Sequence, residues 1–252
     1  MIKNITVLGS GTLIPQKGRS CAGYVLGHSQ GLILLDCGPG SLLRLNEAGI
    51  PLSDIDLILI SHFHLDHTSD LAPLLNSRWL QESSRDRRLI IAGPVGLKKR
   101  FDRLFGKEES WIHNLTLDLI ELENSSRKIA SIKVDTMLTH HTENSICFRL
   151  TDEEGSVVFY SGDTDYHESL ISLAREADLA IIECSWTEFP EGEGHLTPKL
   201  AGRLASKAQV KRLLLTHFYQ EVSEQKVLKQ VARYFPGTVC LAEDLRVYSI
   251  SE

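Results

Sequence analysis

The sequence predicts a layered α/β (α+β) fold. Three observations carry that expectation. Short apolar runs alternate with longer amphipathic ones from one end of the 252-residue chain to the other. Hydrophobic content is 42% and charged content 24%, both ordinary for a globular chain with a real core. No linker rich in Pro, Gly or Ser interrupts the alternation, so residues 1–252 read as one domain.

The apolar runs give strands at Ile5 to Leu8, Tyr24 to Leu26, Leu32 to Leu35 and Leu57 to Ile60, then at Leu89 to Ala92, Leu115 to Leu122 and Ile132 to Leu138. Further strands are expected at Ile146 to Leu150, Val157 to Tyr160, Leu179 to Ile182, Leu213 to Leu215 and Arg246 to Ile250. Helical periodicity covers Ser41 to Ala48, Asp70 to Gln81, Gly96 to Phe105, Glu168 to Glu176, Pro198 to Ala208 and Glu224 to Tyr234. Thr197-Pro198 is a strong start signal, an N-cap hydroxyl followed by proline at the first helical position. The polar stretches Glu82 to Arg88 and Asn124 to Lys128 read as exposed loops.

Apolar runs such as Leu57 to Ile60 stop far short of the ~20 residues a membrane helix needs, so no membrane partner is expected. Met1-Ile2-Lys3-Asn4 leads into a strand without the apolar core of a signal peptide. Five scattered cysteines (Cys21, Cys37, Cys147, Cys184, Cys240) form no CxxC pair and suit a reduced, cytoplasmic chain. A net charge of −6 argues against broad coating of nucleic acid, though a local basic patch is compatible with it.

Ten histidines are the unusual feature. Ser61-His62-Phe63-His64-Leu65-Asp66-His67 places three imidazoles and one carboxylate directly after a buried strand. Such ligands suit zinc, iron or manganese. No single helix or strand can aim all four at one ion, whereas a sharp loop can send His62 and His64 to one metal and Asp66 and His67 to a neighbour. The plain alternative is a polar turn with incidental histidines. Other strands also end in His or Asp: Leu213 to Phe218 repeats the apolar-hydroxyl-His-Phe pattern, and Leu34-Leu35-Asp36 and Tyr160-Ser161-Gly162-Asp163 end in a carboxylate. Open sheets place sites at such strand ends. The pattern is consistent with two related halves facing each other.

The HxHxDH motif resembles that of the metallo-β-lactamase fold superfamily, and later positions match in order: His141 in Thr139-His140-His141-Thr142, Asp163 in Ser161-Gly162-Asp163-Thr164 and His217 in Thr216-His217-Phe218. The resemblance implies a four-layer αββα sandwich with one sheet from each half of the chain. It implies two divalent metal ions, zinc first, with manganese or iron as alternatives. One ion would take His62, His64 and His141, the other Asp66, His67 and His217. Asp163 would bridge them, with a water or hydroxide between the ions. Asp36 matches a position that supports the metal loop from behind; the alternative for it is a strand-end or turn carboxylate. His140 competes with His141, and spacing to the strand from Ile146 favours His141. His28, His113 and His167 have no motif around them and default to surface or structural roles.

Within that superfamily, Gly9-Ser10-Gly11-Thr12-Leu13-Ile14-Pro15 with Arg19-Ser20 resembles the N-terminal loop of the ribonuclease Z and phosphodiesterase branch. Gly162-Asp163-Thr164 is typical of the same branch. Ile181-Ile182-Glu183-Cys184-Ser185-Trp186 and Gly194-His195-Leu196-Thr197 resemble its glutamate motif and following histidine. The resemblance makes His195 an acid that protonates the leaving oxygen and Glu183 its orienting carboxylate. Asp66 counts as both ligand and catalytic residue. A strand-end carboxylate and a pre-helix loop histidine are the plain alternatives.

One departure matters. Long ribonuclease Z members insert a tRNA-gripping arm between the third and fourth metal motifs. Here His141 and Asp163 are 22 positions apart, room for a hairpin only. Lys98-Lys99-Arg100 and Arg85-Asp86-Arg87-Arg88 could form a basic patch, though solvated faces account for them as well. The expectation is therefore a dinuclear hydrolase of small phosphodiesters using a metal-bridging hydroxide. The alternatives are a tRNA 3′-end endonuclease acting on RNA and a thioester or lactone hydrolase of the same fold. A flavin-linked di-iron enzyme would carry Glu where His64 stands. A metal-stabilised binding module is the non-enzyme reading, but such a protein should have lost a ligand, and all seven positions are filled. Related enzymes are often dimers, which makes a second copy of the chain a partner to test.

Overall fold

The computed structural model describes residues 2–106, 109–185, 194–219 and 223–250. The first part of the chain gives β1 (Asn4–Gly9), β2 (Gly23–Gly27), β3 (Leu32–Leu35), α1 (Ser41–Glu47), β4 (Ile55–Leu59), α2 (Leu65–Thr68), α3 (Leu71–Leu80), α4 (Glu82–Arg85), β5 (Leu89–Pro94), α5 (Leu97–Phe105) and β6 (Leu117–Leu122). The second gives β7 (Ser125–Ile129), β8 (Ile132–Leu138), β9 (Ile146–Thr151), β10 (Val157–Tyr160), α6 (Ser169–Ala174), β11 (Leu179–Glu183), α7 (Pro198–Lys207), β12 (Arg212–Thr216), α8 (Glu224–Val231), β13 (Thr238–Leu241) and β14 (Val247–Ser249).

Two seven-stranded sheets result, in the orders β14-β1-β2-β3-β4-β5-β6 and β13-β12-β11-β10-β9-β8-β7. Three antiparallel pairings lead into three parallel ones in each: β14 through β3 and then β3 through β6, β7 through β10 and then β10 through β13. The central parallel strands are the most apolar, because helices cover their outer faces while the other sheet covers the inner. β11, Leu-Ala-Ile-Ile-Glu, is buried at all five positions. One apolar cluster joins the inner faces of both sheets, including Tyr24, Leu35 and Leu59 from one and Phe148, Tyr160 and Ile181 from the other. A second packs α6, α7 and α8 on one sheet, and a third packs α1, α3 and α5 on the other. These layers make the αββα sandwich.

The two halves share one strand topology. Matching the orders pairs β4 with β11, so the similar stretches around His62 and His217, after β4 and β12, do not occupy equivalent strands. What they share is their place at the end of a parallel strand.

Several local expectations change. Asn124 to Lys128 is not a loop: Ser125–Ile129 forms the edge strand β7, pairing with β8 alone. Its exposed Ser126, Arg127 and Lys128 hide the strand from any hydrophobic pattern. Within Glu82 to Arg88, Glu82–Arg85 forms a helical turn with Ser84 buried against the Arg78 carbonyl. The strand expected from Leu115 starts at Leu117, after a 3₁₀ turn at Ser110–Asn114. β13 and α2, four residues each, gave no periodic signal. Thr197 does cap α7, its hydroxyl accepting the Leu200 N–H.

Candidate metal centre

Parallel strands of both sheets end at one groove and turn sharply there. Asp36 directly follows β3 with φ 54°, and His217 directly follows β12 with φ 60°. Left-handed backbone is uncommon outside glycine, Asp and His being among the residues that adopt it most readily, and it turns the chain sharply at each strand end. Gly162, after β10, has φ 54°, and a Cβ there would lie 2.8 Å from the Ser61 Cβ. Only glycine lets the Asp163 loop pass this close to the HxHxDH loop.

The seven expected ligand positions converge. Nitrogen and oxygen atoms of His62, His64, His141 and Asp163 lie within 4.8 Å of one another, as do those of Asp66, His67 and His217. Asp163 Oδ2 sits between the groups, 3.7 Å from His62 Nε2, 3.6 Å from His141 Nε2, and 3.4 Å from both His67 Nε2 and His217 Nε2. One carboxylate oxygen thus faces two imidazoles from each group. Asp66 Oδ2 lies 3.4 Å from His217 Nε2. Of the two competing histidines, His141 joins the cluster. His140 is exposed and stacks on His167, with ring centroids 4.2 Å apart.

Contacts behind these groups aim them. Asp36 is fully buried and accepts from the Ser61 N–H at 2.7 Å, the Ser61 hydroxyl at 2.7 Å, the Tyr160 hydroxyl at 2.5 Å and His67 Nδ1 at 2.7 Å. His141 Nδ1 donates to the Gly194 carbonyl at 2.8 Å. Both rings therefore turn Nε2 inward. His62 Nε2 is buried with no hydrogen-bond partner among the described residues, and His141 Nε2 faces His64 Nδ1 at 3.0 Å. Imidazole nitrogens converging on one another with carboxylate oxygens among them are a donor set that a divalent cation satisfies. The residues fit two such ions.

The electrostatics agree. Burial, then the neighbouring His67, holds His62 well below the usual imidazole range, in the neutral form a metal needs. Burial opposes ionisation of Asp163, but the surrounding imidazoles, His217 and His67 foremost, outweigh it and keep the carboxyl well below its ordinary value. Asp66 is likewise drawn down to about 2 against its burial, by His217 and His67. Burial disfavours a charged His67, yet Asp163 and Asp36 reverse this, so positive charge is favoured at that point.

Next to the candidate ligands lies a His–Glu pair. His195 Nδ1 is 3.1 Å from both carboxylate oxygens of Glu183, which is buried at the end of β11. Glu183 also accepts from the Thr164 N–H at 2.7 Å and the Ser185 hydroxyl at 2.6 Å. Burial disfavours the imidazolium, but the Glu183 charge dominates and raises the His195 pKa to about 9. Donor atoms of His195, Asp163 and His217 also lie within 4.8 Å of one another.

The groove is a cavity of about 370 Å³ lined by Thr12, Leu13 and Ile14 of the N-terminal loop, by His64, Leu65, Asp66, His141, Asp163 and His195, and by Tyr219. The N-terminal loop is fixed there by Arg19, whose guanidinium reaches the Ser10 hydroxyl and lies 4.7 Å from the Phe218 ring centre. None of the lining residues described is Lys or Arg. Of the basic stretches, Arg88 pairs with Asp118 and Arg87 with Asp54, while Arg100 lies over the ring of Phe63, within the HxHxDH loop but outside the cavity lining. Trp186 lies outside the described residues. His28 is structural, its ring held between Ser131 and Asp56.

Tyr160 and Tyr219 carry no motif in the sequence, and nothing in it assigns Ser61 or Ser185 a role. Tyr160 is an ordinary apolar strand residue until β10 is laid beside β3's end. Tyr219 has only its place two residues after His217 to mark it.

The family model for the beta-lactamase superfamily domain matches residues 32–218. The chain belongs to the metallo-β-lactamase superfamily. Among members, the probable metallo-hydrolase YhfI of Bacillus subtilis is 27% identical over 243 residues, covering 95% of this chain and 96% of YhfI. Its crystal structure superposes with a TM-score of 0.86 at 26% identity, covering 98% of both chains. The short form of human tRNase Z superposes with a TM-score of 0.80 at 27% identity, covering 99% of this chain and all of the other. Ribonuclease Z of Ignicoccus hospitalis is 28% identical, 95% of each chain being covered, but that alignment runs over 291 positions. It therefore needs gaps that the YhfI alignment hardly does. The metallo-β-lactamase relationship thus includes the ribonuclease Z branch, and this chain is shorter in build than that ribonuclease.

Proposed function

We propose that this chain is a single-domain, dinuclear metal-dependent hydrolase of small phosphodiesters. His62, His64 and His141 would hold one ion and Asp66, His67 and His217 the other, with Asp163 shared. The imidazole-rich donor set suits zinc, with manganese or iron as alternatives. Bound there, two divalent ions supply Lewis acidity and activate water.

One observation carries the phosphodiester reading: the His195–Glu183 pair beside the two donor groups. Hydrolysis of a phosphodiester expels an alkoxide that needs a proton. His195 lines the cavity and is held through Nδ1 by Glu183, a carboxylate that favours its protonated form and leaves Nε2–H as the proton to give. Asp66, ionised and aimed into the same cavity, completes the polar floor. A thioester expels a thiolate that leaves without a proton, so a thioester hydrolase of this fold would leave the pair without a task; a lactone also expels an alkoxide, and the substrate screen separates that case.

Similarity to human tRNase Z and an archaeal ribonuclease Z favours tRNA 3′-end processing as a second reading. Two features weigh against it. The β9–β10 hairpin takes up the connection from His141 to Asp163, leaving no length for an arm. A cavity with no Lys or Arg among its described lining residues offers little to a polyanion. A cytoplasmic setting suits the five cysteines, all of them free thiols.

The test is a parallel screen on protein of measured metal content, with and without added zinc or manganese. It uses bis-p-nitrophenyl phosphate, cyclic nucleotides, precursor tRNA, a thioester and a lactone. Metal-dependent cleavage of the small diesters is expected. Cleavage of only the thioester or lactone refutes the reading, and efficient cleavage of precursor tRNA alone moves it to the second one.

A further inference from the structure

Two serines occupy matching positions behind the two donor groups. Ser185 is fully buried, two residues beyond Glu183, with its Oγ 2.6 Å from Glu183 Oε2 and 2.9 Å from His217 Nδ1. A hydroxyl has one proton to give and a carboxylate can only accept. That proton goes to Glu183, so the Ser185 oxygen is left to accept Nδ1–H from His217. The ring then carries its lone pair on Nε2, the atom 3.4 Å from both Asp66 Oδ2 and Asp163 Oδ2. The distance from Ser185 Oγ to His195 Nδ1 is longer, 3.3 Å, and that nitrogen already faces both Glu183 oxygens.

Ser61 repeats the arrangement in the other half. It too is fully buried, with its Oγ 2.7 Å from Asp36 Oδ2 and 3.0 Å from His62 Nδ1. The same proton accounting makes Ser61 donate to Asp36 and accept from His62, which leaves the lone pair on His62 Nε2. That nitrogen is the buried one with no hydrogen-bond partner among the described residues.

We infer that Ser61 and Ser185 are positioning residues, each fixing the tautomer of one metal-binding histidine, His62 and His217 respectively, and so each governing a different ion. The inference rests on the two-ion reading above. It adds a division of labour: a buried carboxylate, a serine and a histidine in series on each side, Asp36–Ser61–His62 and Glu183–Ser185–His217. Without the hydroxyl, Nδ1 loses its acceptor and the ring is free to place its proton on Nε2, where it blocks the ligand lone pair.

Two measurements test this. Long-range ¹⁵N–¹H NMR of the zinc-loaded wild-type protein reads the tautomers directly; Nδ1–H is expected on both His62 and His217, and an unprotonated Nδ1 on either overturns its relay. Stepwise zinc affinities, read by competition with a chromophoric chelator, then compare wild type, Ser61→Ala, Ser185→Ala and Ser185→Thr. Each alanine variant should weaken one binding step by about 10–100-fold and leave the other in place, with threonine restoring much of the loss. In a His217→Ala background, Ser185→Ala should add nothing further, as expected of residues acting in series. Both affinities retained within about twofold in Ser185→Ala, or both steps weakened equally, overturns the inference. Wild-type protein that takes up fewer than two ions refutes the two-ion reading itself, and the division between ions with it.

Discussion

Replacing His195 by alanine separates acid catalysis from metal binding. The imidazole is held through Nδ1 by both oxygens of Glu183, at 3.1 Å each, and its pKa stands at about 9. The Glu183 carboxylate thus favours the protonated imidazole, the form that has a proton to give. Positioned general acids contribute about 10²–10⁴-fold in rate, or roughly 3–5 kcal/mol of barrier. The whole of that is at stake only when the departing oxygen needs the proton. The assay is kcat/KM for wild type and His195→Ala on phosphodiesters graded from p-nitrophenyl through unactivated phenyl to alkyl leaving groups. Metal content is measured on both proteins. The expected result is a full loss with alkyl leaving groups that shrinks toward none with p-nitrophenyl, both ions being retained. An equal loss across the series, or an ion lost with the histidine, refutes the acid assignment.

Glu183→Gln should reproduce the same leaving-group dependence with a smaller loss, because it removes the charge that keeps His195 protonated while leaving the acid in place; kcat/KM across the same series checks this. Asp163→Ala should reduce uptake of both ions, whereas His64→Ala should chiefly weaken one, as read by elemental analysis and stepwise titration. Asp36→Ala strands four buried donors; at about 1 kcal/mol each, the low end for such groups, the loss in urea unfolding is ~4 kcal/mol, a large part of a typical total. Asp152 gives a pH prediction: burial opposes its ionisation, but N–H groups of Ile2, Ser156 and Glu154 outweigh that and lower its pKa. A depressed carboxyl stabilises the fold above the unfolded-state value of about 3.9 and loses that contribution as pH falls through the folded-state value, so Asp152→Asn should lower the melting temperature at pH 7 and by much less near pH 2.

The sheets were legible because their central strands are nearly all apolar and their ends carry the chemistry. Leu32–Leu35, Ile132–Leu138 and Val157–Tyr160 match the expected bounds residue for residue. β7 was illegible for the opposite reason. Its hydrogen bonds to β8 need no side-chain pattern, and an edge exposed to water is free to be Arg and Lys. α2 is one turn imposed by the HxHxDH loop, shorter than any amphipathic period. Among site residues, those that stood out in the sequence sit within a few positions of one another or in a recurrent motif. Ser185, Tyr160 and Tyr219 are common residue types whose meaning is purely spatial, and Ser61, though it opens the motif, shows its role only where Asp36 meets it.

Tyr160 shows why that gap is physical rather than a matter of better pattern reading. Its hydroxyl reaches Asp36 from 124 residues away, across the space between the sheets, and its ring packs against Tyr24 at 5.4 Å. Along β10 it is one of four buried residues in a row, Val-Val-Phe-Tyr, and the strand pattern asks only that it be large and apolar. The hydroxyl matters because Asp36 bends back at φ 54° and brings its carboxylate to the inner end of the core. There the carboxylate has a backbone N–H, a serine, a histidine and a tyrosine around two oxygens. A fully buried carboxylate is tolerated only when its oxygens are satisfied. Tyr160 supplies one of those hydrogen bonds from the opposite sheet. The packing of the two sheets and the aim of the His62–His67 loop are thereby tied together. Tyr160→Phe keeps the packing and removes only that bond. It should cost about 1–3 kcal/mol of stability and loosen the hold on His67, read as weaker zinc binding at the Asp66–His67–His217 group. A variant as stable as wild type, with both zinc affinities unchanged, would show that the carboxylate is sufficiently held from its own sheet.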